Sequence, residues 1–583
     1  MARLWPTGHT IQARGDAIMS GPQTPAAIAT FAFKYQQAGE SFRDVCNRVA
    51  GAISDDKDHF KDFREILMEQ WGVLGGRGMA ALGSTKRVTA FNCYVSGTIE
   101  DSLEGILERH REGALTLRMG GGIGYDFSTI RPRGDKVRSL DSSASGPVSY
   151  MEMYDAMGRT ISSSGERRGA QMGILRVDHP DIEEFIHAKQ NSNRLTCFNL
   201  SVAVTDLFME RVLEGGEFDL VFEGRRYRTI DARTLWDTIM RSTWDWAEPG
   251  VVFIDRINHW NNLGYVETIA ATNPCAEQPL PPYGACLLGS INLPKMLGPR
   301  TRPVSLESRF TFNWHRLVHV VRTMVRAMDN VIDATIYPLL EQEKQAKATR
   351  RMGLGVMGMA NCVEALGFPY GSDGFIYNME AILRCIKETA YQTSAELAKE
   401  KGWFPRYEEG KYLEAPFIKG LSHETREMIR RHGIRNSHLT SIAPTGTIAF
   451  CADNVSSGIE PVFAVTEERR VRQTDGVETY KVVDYGSTIG VQPRVAEEVS
   501  AEQHVAVLCA AQRHVDSSIS KTCNVPADMA WDEFKEIYQT AWKGGAKGCS
   551  TFQVAGKRTG VRQAVAADSG CEGDRCQIGI TAS

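Results

Sequence analysis

The sequence predicts an α/β fold, because segments with strand patterns alternate with segments of helical periodicity along the chain. Strand patterns rich in β-branched and aromatic residues occur at 87–95 and 198–204. Apolar residues at helical spacing occur at 313–334 and 376–401. The 583 residues are enough for several domains or for one large barrel with additional segments.

Composition and charge exclude several classes of partner. The chain has 67 basic and 71 acidic residues, a formal net charge of −4 and no long basic block, so nucleic acid is not expected to bind. No apolar run approaches a membrane span, and residues 1–6 lack the apolar core of a signal peptide. The thirteen cysteines are scattered without a Cys-x-x-Cys pair, which indicates a reducing cytoplasm and no metal site of the zinc-ribbon type.

The remaining elements are predicted in chain order. Residues 1–24 are predicted to form a loop or an extended arm, and residues 25–73 to be helical. Gly120–Gly124 permits close backbone approach, and a tight turn entering a strand is favoured over a phosphate loop. Further segments are predicted as a helix start at 101–104, a polar loop at 160–172, a helix at 181–186, a small-residue strand and turn at 351–358, and a strand, turn and helix at 435–448.

The most informative segment is Asn273–Glu277, which is followed by a second cysteine, Cys286. Four prolines between 274 and 282 favour a loop over a helix or a central strand. Glu277 lies two residues from the Cys275 thiol and can act as a general base, while the Asn273 amide can donate hydrogen bonds to a substrate. Each cysteine alone is as compatible with an ordinary buried residue as with a catalytic one. Asn273, Cys275 and Glu277 within five residues favour a catalytic role.

This segment resembles the finger loop of ribonucleotide reductase large chains. The resemblance extends in the family's order from roughly Gly75 to the C-terminus. The matching segments are Phe91–Cys93, Gly120–Asp126, Ser145–Val148, Arg168–Gly173, Asn273–Glu277, Tyr283–Cys286, Ser290–Leu293 and Ala443–Ile448.

The resemblance implies a ten-stranded α/β barrel with the finger loop through its centre. It divides the chain into an N-terminal helical region at 1–74, the barrel at 75–556 and a flexible redox-active tail at 557–583. The nucleotide-binding cone that many family members carry is not recognised in the first region. A homodimer is expected, because the family's effector site lies at a dimer interface.

The implied reaction reduces a ribonucleoside di- or triphosphate to its 2′-deoxy form. Cys275 would be the thiyl radical, Glu277 would take the 3′-hydroxyl proton, and Asn273 would bind the ribose hydroxyls. Cys93 and Cys286 would supply two electrons as they form a disulfide. The tail cysteines would reduce that disulfide and be reduced by a protein of the thioredoxin or glutaredoxin type; they are Cys571 and Cys576.

Substrate and effector sites are also implied by the resemblance. The substrate would contact Asn92, Arg168 and the turn formed by Pro444, Thr445, Gly446, Thr447 and Ile448, whose N–H groups at a helix start suit phosphate. A deoxynucleotide or ATP effector would contact Asp101, Arg131, Arg133, Lys136 and Arg138. Surface charge is the competing interpretation of the last four residues.

The family divides by its radical source. None of the 17 tyrosines is adjacent to another, and Thr551 and Phe552 occupy the positions where one branch has a radical-carrying tyrosine pair. The chain therefore resembles the adenosylcobalamin-dependent class II branch, although it lacks the Asp-x-His pattern that ligates cobalt in other cobalamin proteins. The alternatives are a class I large chain that needs a metal-radical partner subunit and a non-enzymatic thiol or metal-binding protein.

Overall fold

The structure is a computed structural model that describes residues 20–137, 141–161, 169–190, 194–300, 309–473, 476–526, 528–553 and 563–564. Its α-helices are α1 (Pro25–Tyr35), α2 (Phe42–Ile53), α3 (Lys57–Met68), α4 (Gly76–Ala81), α5 (Leu103–Arg118), α6 (Pro147–Thr160), α7 (Ile182–His187), α8 (Asp206–Glu214), α9 (Ala232–Trp246), α10 (Ile254–His259), α11 (Trp314–Ala334), α12 (Leu340–Thr349), α13 (Met359–Ala365), α14 (Asp373–Lys401), α15 (Glu409–Tyr412), α16 (Pro416–Lys419), α17 (His423–His432), α18 (Gly446–Cys451), α19 (Tyr485–Thr488), α20 (Ala501–Gln512) and α21 (Trp531–Lys543).

The same described residues contain the β-strands of the fold. They are β1 (Gly72–Leu74), β2 (Cys93–Val95), β3 (Gly122–Asp126), β4 (Lys136–Val137), β5 (Ser142–Ser143), β6 (Gln171–Arg176), β7 (Phe198–Val204), β8 (Glu217–Phe222), β9 (Arg225–Asp231), β10 (Gly250–Phe253), β11 (Ala271–Thr272), β12 (Pro279–Leu280), β13 (Ala285–Cys286), β14 (Leu288–Asn292), β15 (Leu297–Pro299), β16 (Phe310–Phe312), β17 (Gly353–Met357), β18 (Thr466–Gln473), β19 (Gly476–Val483), β20 (Thr522–Val525), β21 (Gly548–Gln553) and β22 (Gln563–Ala564).

The N-terminal helices begin at residues that suit helix starts. Thr24 accepts a hydrogen bond from the N–H of Ala27, with a proline at the first helical position of α1. Ser41 and Asp44 form a capping box at α2. The helical prediction for 25–73 is confirmed by α1, α2 and α3, although the segment ends in the short strand β1.

The largest sheet has eight strands in the order β13-β2-β3-β6-β7-β10-β21-β20. Strands β2, β3, β6, β7 and β10 are parallel to one another. Strand β13 runs antiparallel to β2 and β21 runs antiparallel to β10, while β20 is parallel to β21. A second sheet has the order β1-β14-β17. The described residues thus form a mixed α/β fold with a large, mostly parallel sheet, as the sequence predicts, but their strand pairing does not give a closed barrel.

Backbone hydrogen bonds nevertheless connect the two sheets. The N–H of Leu354 on β17 donates to the carbonyl of Leu439 at 2.8 Å, and the N–H of Ile442 donates to the carbonyl of Ser518 at 3.2 Å, just before β20. Of the strand, turn and helix predicted over 435–448, the strand is reduced to isolated bridges at Thr440 and Ile442, and the helix is α18. This segment therefore lies between β17 and β20 without forming a regular ladder with either.

The strand predicted at 87–95 is shorter than expected, because only Cys93–Val95 pairs with neighbouring strands. The N–H of Thr89 donates to the carbonyl of Met119 and that of Ala90 to the Thr335 hydroxyl, so this part of the chain follows helix ends instead of a strand. The strand at 198–204 and the helix at 313–334 are confirmed to within one residue.

The two faces of the large sheet pack against different surroundings. The outer face packs against helices, whereas the inner face contributes to a separate apolar cluster that contains Cys93, Met172, Ala203, Val252 and Cys286. In the part of the chain that the structure describes, no helix combines the length and apolar character that crossing a membrane requires.

Candidate functional site

The segment with Cys275 forms a β-hairpin. Strands β11 and β12 pair antiparallel, with Thr272 opposite Pro279. At the end of the hairpin the N–H of Asn273 donates to the carbonyl of Gln278 at 3.1 Å, and the Asn273 side-chain oxygen accepts from the Gln278 N–H at 3.0 Å. Ala276, at φ 64°, completes the turn with a 3.0 Å hydrogen bond to the carbonyl of Asn273. Residues 273–278 are called the finger loop.

The finger loop is inserted between the two sheets. On one side, a Cβ added to Gly124 on β3 would lie 1.8 Å from the carbonyl oxygen of Thr272, so only glycine permits this approach. On the other side, the carbonyl of Glu277 accepts hydrogen bonds from the Ser441 hydroxyl at 2.8 Å and from the Ser518 N–H at 2.9 Å. A Cβ added to Gly353 on β17 would lie 2.3 Å from the side-chain nitrogen of Gln278, so the hairpin contacts both sheets.

Three cysteines meet at this loop. Cys93 on β2 and Cys286 on β13 are direct cross-strand partners, an arrangement in which Cβ atoms lie about 4.5–5.5 Å apart. A Cβ on Gly122 would lie 3.2 Å from the Cys93 sulfur and 3.1 Å from the Pro274 ring. Cys93 and Cys286 are buried, whereas Cys275 is half-buried at the end of the hairpin. The thiol that is accessible is therefore the one predicted to carry the radical.

The electrostatics keep Cys286 protonated. Burial raises the pKa of its thiol well above the ordinary range, and the neighbouring Glu277, Cys93 and Cys275 raise it further. The side-chain amide of Asn273 lies 4.0 Å from the Cys286 sulfur, and Glu277 is only 2% exposed. The structure thus brings together all five residues predicted to be catalytic.

The predicted phosphate turn leads into helix α18. Thr445 has φ 55° and its hydroxyl accepts a 2.9 Å hydrogen bond from the N–H of Gly458, while Gly446 and Thr447 are exposed. The first N–H groups of a helix lack intrahelical acceptors, so this exposed turn presents donors. Ile448 packs near Val73 of β1, and the Asn92 side chain lies against Gly75, at the end of the same strand. Arg168 lies outside the described residues.

The predicted effector residues lie at the surface and pair with carboxylates. Asp101 accepts from the side chain of Arg131 at 2.7 Å and from its backbone N–H at 3.0 Å. Arg133 pairs with Glu184 at 2.8 Å, and Lys136 pairs with Asp141 at 2.7 Å. Asp101 and Arg131 are therefore brought together, while the other two side chains have separate partners. Arg138, Cys571 and Cys576 lie outside the described residues.

Several residues that support the loop have no signal in the sequence. The Asn199 amide donates to the carbonyl of Pro274 at 2.8 Å, although the sequence predicts only that Asn199 lies in a strand. Ser441 lies in the segment 435–448, whose sequence predicts a phosphate-binding turn but gives no role to this serine. Such residues cannot be identified from local sequence patterns, because their role depends on which distant backbone carbonyl lies next to them in the fold.

A buried ionic network lies behind the segment that contains Ser441. Arg351 pairs with Glu267 and donates to His438 at 3.1 Å, and burial together with Arg351 keeps the pKa of His438 well below its usual range. Lys547 donates to the carbonyls of Asp516 and Ser517 at 2.5 and 2.8 Å. These contacts fix residues 516–518, and Ser518 in turn contacts Glu277.

Small residues line the face of the large sheet that carries Val252 of the inner cluster. Gly250 lies opposite Ser201, Val252 lies opposite Gly548, and Ser550 is exposed on that face. Thr551 faces the other way, where its hydroxyl meets the Tyr538 hydroxyl at 3.0 Å. This face of the sheet therefore carries small side chains, and neither residue 551 nor residue 552 is a tyrosine.

Comparison with known proteins gives consistent matches. The family model described as ribonucleotide reductase, barrel domain, matches residues 91–486 and 478–552. A vitamin B12-dependent ribonucleoside-diphosphate reductase of Mycobacterium tuberculosis (strain CDC 1551 / Oshkosh) is 36% identical over 528 residues, 83% of this chain and 72% of the relative. The same-named protein of Thermoplasma acidophilum is 35% identical over 511 residues, 82% of this chain and 63% of the relative. A vitamin B12-dependent ribonucleotide reductase of Streptomyces avermitilis is 28% identical over 605 residues, 89% of this chain and 61% of the relative.

Proposed function

The chain belongs to the ribonucleotide reductase family, and from that premise we propose that it reduces ribonucleotides to 2′-deoxyribonucleotides by thiyl-radical chemistry that depends on adenosylcobalamin. The observation that carries the proposal is the meeting of three cysteines, one half-buried and two paired across strands, beside Asn273 and Glu277. A cross-strand pair at this separation is close to the geometry that a disulfide requires.

Each residue has a role that its surroundings suit. As a thiyl radical, Cys275 takes the hydrogen atom from the ribose 3′ carbon and returns it at the end of turnover. Glu277 accepts the 3′-hydroxyl proton and later gives it back, and Asn273 hydrogen-bonds the ribose hydroxyls. Cys93 and Cys286 then give up two electrons and two protons as their sulfur–sulfur bond forms, and the 2′-hydroxyl leaves as water. Their burial keeps both water and other reductants from this step.

Small residues on one face of the large sheet suit the approach of a large cofactor. When bound, adenosylcobalamin supplies a carbon-centred radical by cleavage of its cobalt–carbon bond. The small residues Ser201, Gly250, Gly548 and Ser550 would hold it, because they share the face of the large sheet that carries Val252 of the inner cluster. The relatives named as vitamin B12-dependent support this assignment over the class I alternative, and Thr551 and Phe552 cannot carry a phenoxyl radical.

We further propose the family's ten-stranded barrel for residues 75–556, between the helical region at 1–74 and the redox-active tail at 557–583. One half is β2, β3, β6, β7 and β10. The other is β14, β17, the segment 439–442, β20 and β21, which the hydrogen bonds of Leu354 and Ile442 support. Strand β13 continues into β14 and pairs with β2, which supports closure of the ring.

The partners follow from the same premise. The substrate phosphates bind the turn 444–448, Asn92 and Arg168 contribute further substrate contacts, and a deoxynucleotide or ATP effector binds at Asp101 and the basic residues that follow it. Cys571 and Cys576 pass electrons from a thioredoxin- or glutaredoxin-type protein in the cytoplasm. A homodimer is supported by α5, which exposes Leu103, Leu107 and Leu115 along one side at 56%, 43% and 41%.

The decisive experiment measures anaerobic deoxynucleotide formation by the purified chain with a dithiol reductant, with and without adenosylcobalamin. We expect turnover only with the cobalamin, and a loss of at least about a thousandfold in Cys275→Ala. Cys385→Ala, which removes another half-buried thiol far along the chain on α14, is the matched control and keeps its turnover. Turnover that instead requires a metal-radical partner chain would refute the cobalamin assignment.

A further inference from the structure

The internal hydrogen bonds of the finger loop fix its shape but not its position. The contacts among Asn273, Ala276 and Gln278 all lie within the hairpin. They would be unchanged if the whole hairpin moved relative to the sheets. The position of Cys275 must therefore depend on contacts between the loop and its surroundings.

Asn199 makes one such contact just before Cys275. It lies on β7, and its side-chain amide donates to the carbonyl of Pro274 at 2.8 Å. That carbonyl belongs to the peptide group whose nitrogen is the backbone nitrogen of Cys275, and a peptide group is planar. The hydrogen bond therefore restricts the orientation of the backbone that carries the thiol.

Ser441 makes the second contact, just after Cys275 and from the other side of the loop. Its hydroxyl donates to the carbonyl of Glu277 at 2.8 Å, and the N–H of Ser518 donates to the same oxygen at 2.9 Å. The carbonyl thus keeps one donor if the serine hydroxyl is removed. Loss of the hydroxyl should loosen this end of the loop without leaving a buried oxygen unpaired.

We propose that Asn199 and Ser441 are positioning residues that hold the Cys275 thiol by fixing the carbonyls of Pro274 and Glu277. The inference rests on the proposed role of Cys275 as the radical residue. A single hydrogen bond contributes little to the stability of a chain of this size. A displacement of about 1 Å at a reacting atom, however, can lower a rate about a hundredfold. Removal of either contact should therefore affect catalysis much more than folding.

Two variants and two matched controls test this role. Asn199→Ala removes the hydrogen bond to the Pro274 carbonyl by changing an exposed residue. Ser441→Ala removes the hydrogen bond to the Glu277 carbonyl by changing a buried residue. Asn378→Ala removes an amide that donates at 2.8 Å to a carbonyl within its own helix, α14. Thr30→Ala removes a buried hydroxyl of α1 that has no hydrogen-bond partner among the residues the structure describes.

The first measurement needs neither cofactor nor substrate. The rate at which iodoacetamide alkylates Cys275 is followed by peptide mass spectrometry. We expect a several-fold faster reaction in both loop variants and the wild-type rate in both controls, because a loosened loop exposes its half-buried thiol. Equal melting temperatures among the variants show that the effect is local.

The second measurement compares kcat and KM for the ribonucleotide at saturating adenosylcobalamin. We expect kcat to fall about tenfold to a hundredfold in each loop variant, with KM nearly unchanged. Wild-type alkylation and wild-type kcat in Asn199→Ala would overturn the proposal, even if Ser441→Ala failed to fold. If the wild-type chain formed no deoxynucleotide, the proposed function would fail, while the alkylation rates would still decide the role of the two contacts.

Discussion

Behind the finger loop, some charged side chains are buried and bonded to backbone carbonyls, whereas at the surface predicted to bind the effector basic side chains pair with carboxylates. Lys547 illustrates the first arrangement, with 4% exposure and two carbonyl partners. Lys136 illustrates the second, because its side chain is 72% exposed and its partner Asp141 is 84% exposed. Loss of a buried polar contact in the first region should be costly, whereas loss of a solvent-exposed ion pair in the second region should change stability little.

The largest expected effect of this contrast is on Cys286. In Cys286→Ser the side chain keeps nearly the same shape but cannot form a disulfide with Cys93. We expect turnover with a dithiol reductant to fall at least about a hundredfold, measured as deoxynucleotide formed per chain. Cys46→Ser, which changes a buried cysteine of α2, is the control and keeps its activity. Repeated turnover by Cys286→Ser would show that the buried Cys286 thiol is not required for the reaction.

A smaller effect is expected in the pH dependence of stability, through Lys547. Burial lowers the pKa of Lys547 from 10.5 to about 8, with Asp516 opposing the shift. Between these values the unfolded chain binds more protons than the folded one, so the free energy of unfolding rises with pH. The slope is at most about 1.4 kcal/mol per pH unit.

The measurement compares denaturant unfolding of the wild type and Lys547→Met from pH 8 to pH 10. We expect the wild type to gain stability relative to the variant as the pH rises. Lys543→Met, which removes an exposed lysine of α21, is the control. The wild type should not gain stability relative to Lys543→Met over this pH range. If it did, the pH dependence would have a cause other than burial of Lys547.

The smallest effect is expected at the surface predicted to bind the effector. Lys136→Ala breaks an ion pair whose two side chains are both mostly in solvent, so the free energy of unfolding should change by less than about 0.5 kcal/mol. Lys136→Arg, which keeps the pair, should match the wild type in the same denaturant titration. A loss above about 1 kcal/mol in Lys136→Ala alone would contradict the contrast between the two regions.

Secondary structure was predictable where the pattern is local and strong. Phe198–Val204 has the alternation and β-branched residues of a strand, and it forms β7 over those residues. The segment 87–95 has a similar composition, but most of it follows helix ends and only three residues pair as a strand. Strand propensity describes what a segment can do, whereas its neighbours decide whether a ladder forms.

The candidate site was predictable only in part, for the same reason. Asn273, Cys275 and Glu277 are close in sequence, so their combination is visible without a structure. The Asn199 contact with Pro274 joins residues 75 positions apart, and the Ser441 contact with Glu277 joins residues 164 positions apart. No local pattern encodes which carbonyl a strand residue will meet.

The sequence by itself determined the α/β class, the loop character of the Cys275 segment and the resemblance to a reductase family. These depend on residue types and short-range spacing, which folding leaves unchanged. The tertiary structure alone decided that Cys93 lies opposite Cys286, that the loop sits between two sheets and that Cys275 stays half-buried. Each of these depends on strand register and on contacts between distant segments, which packing of the whole chain selects.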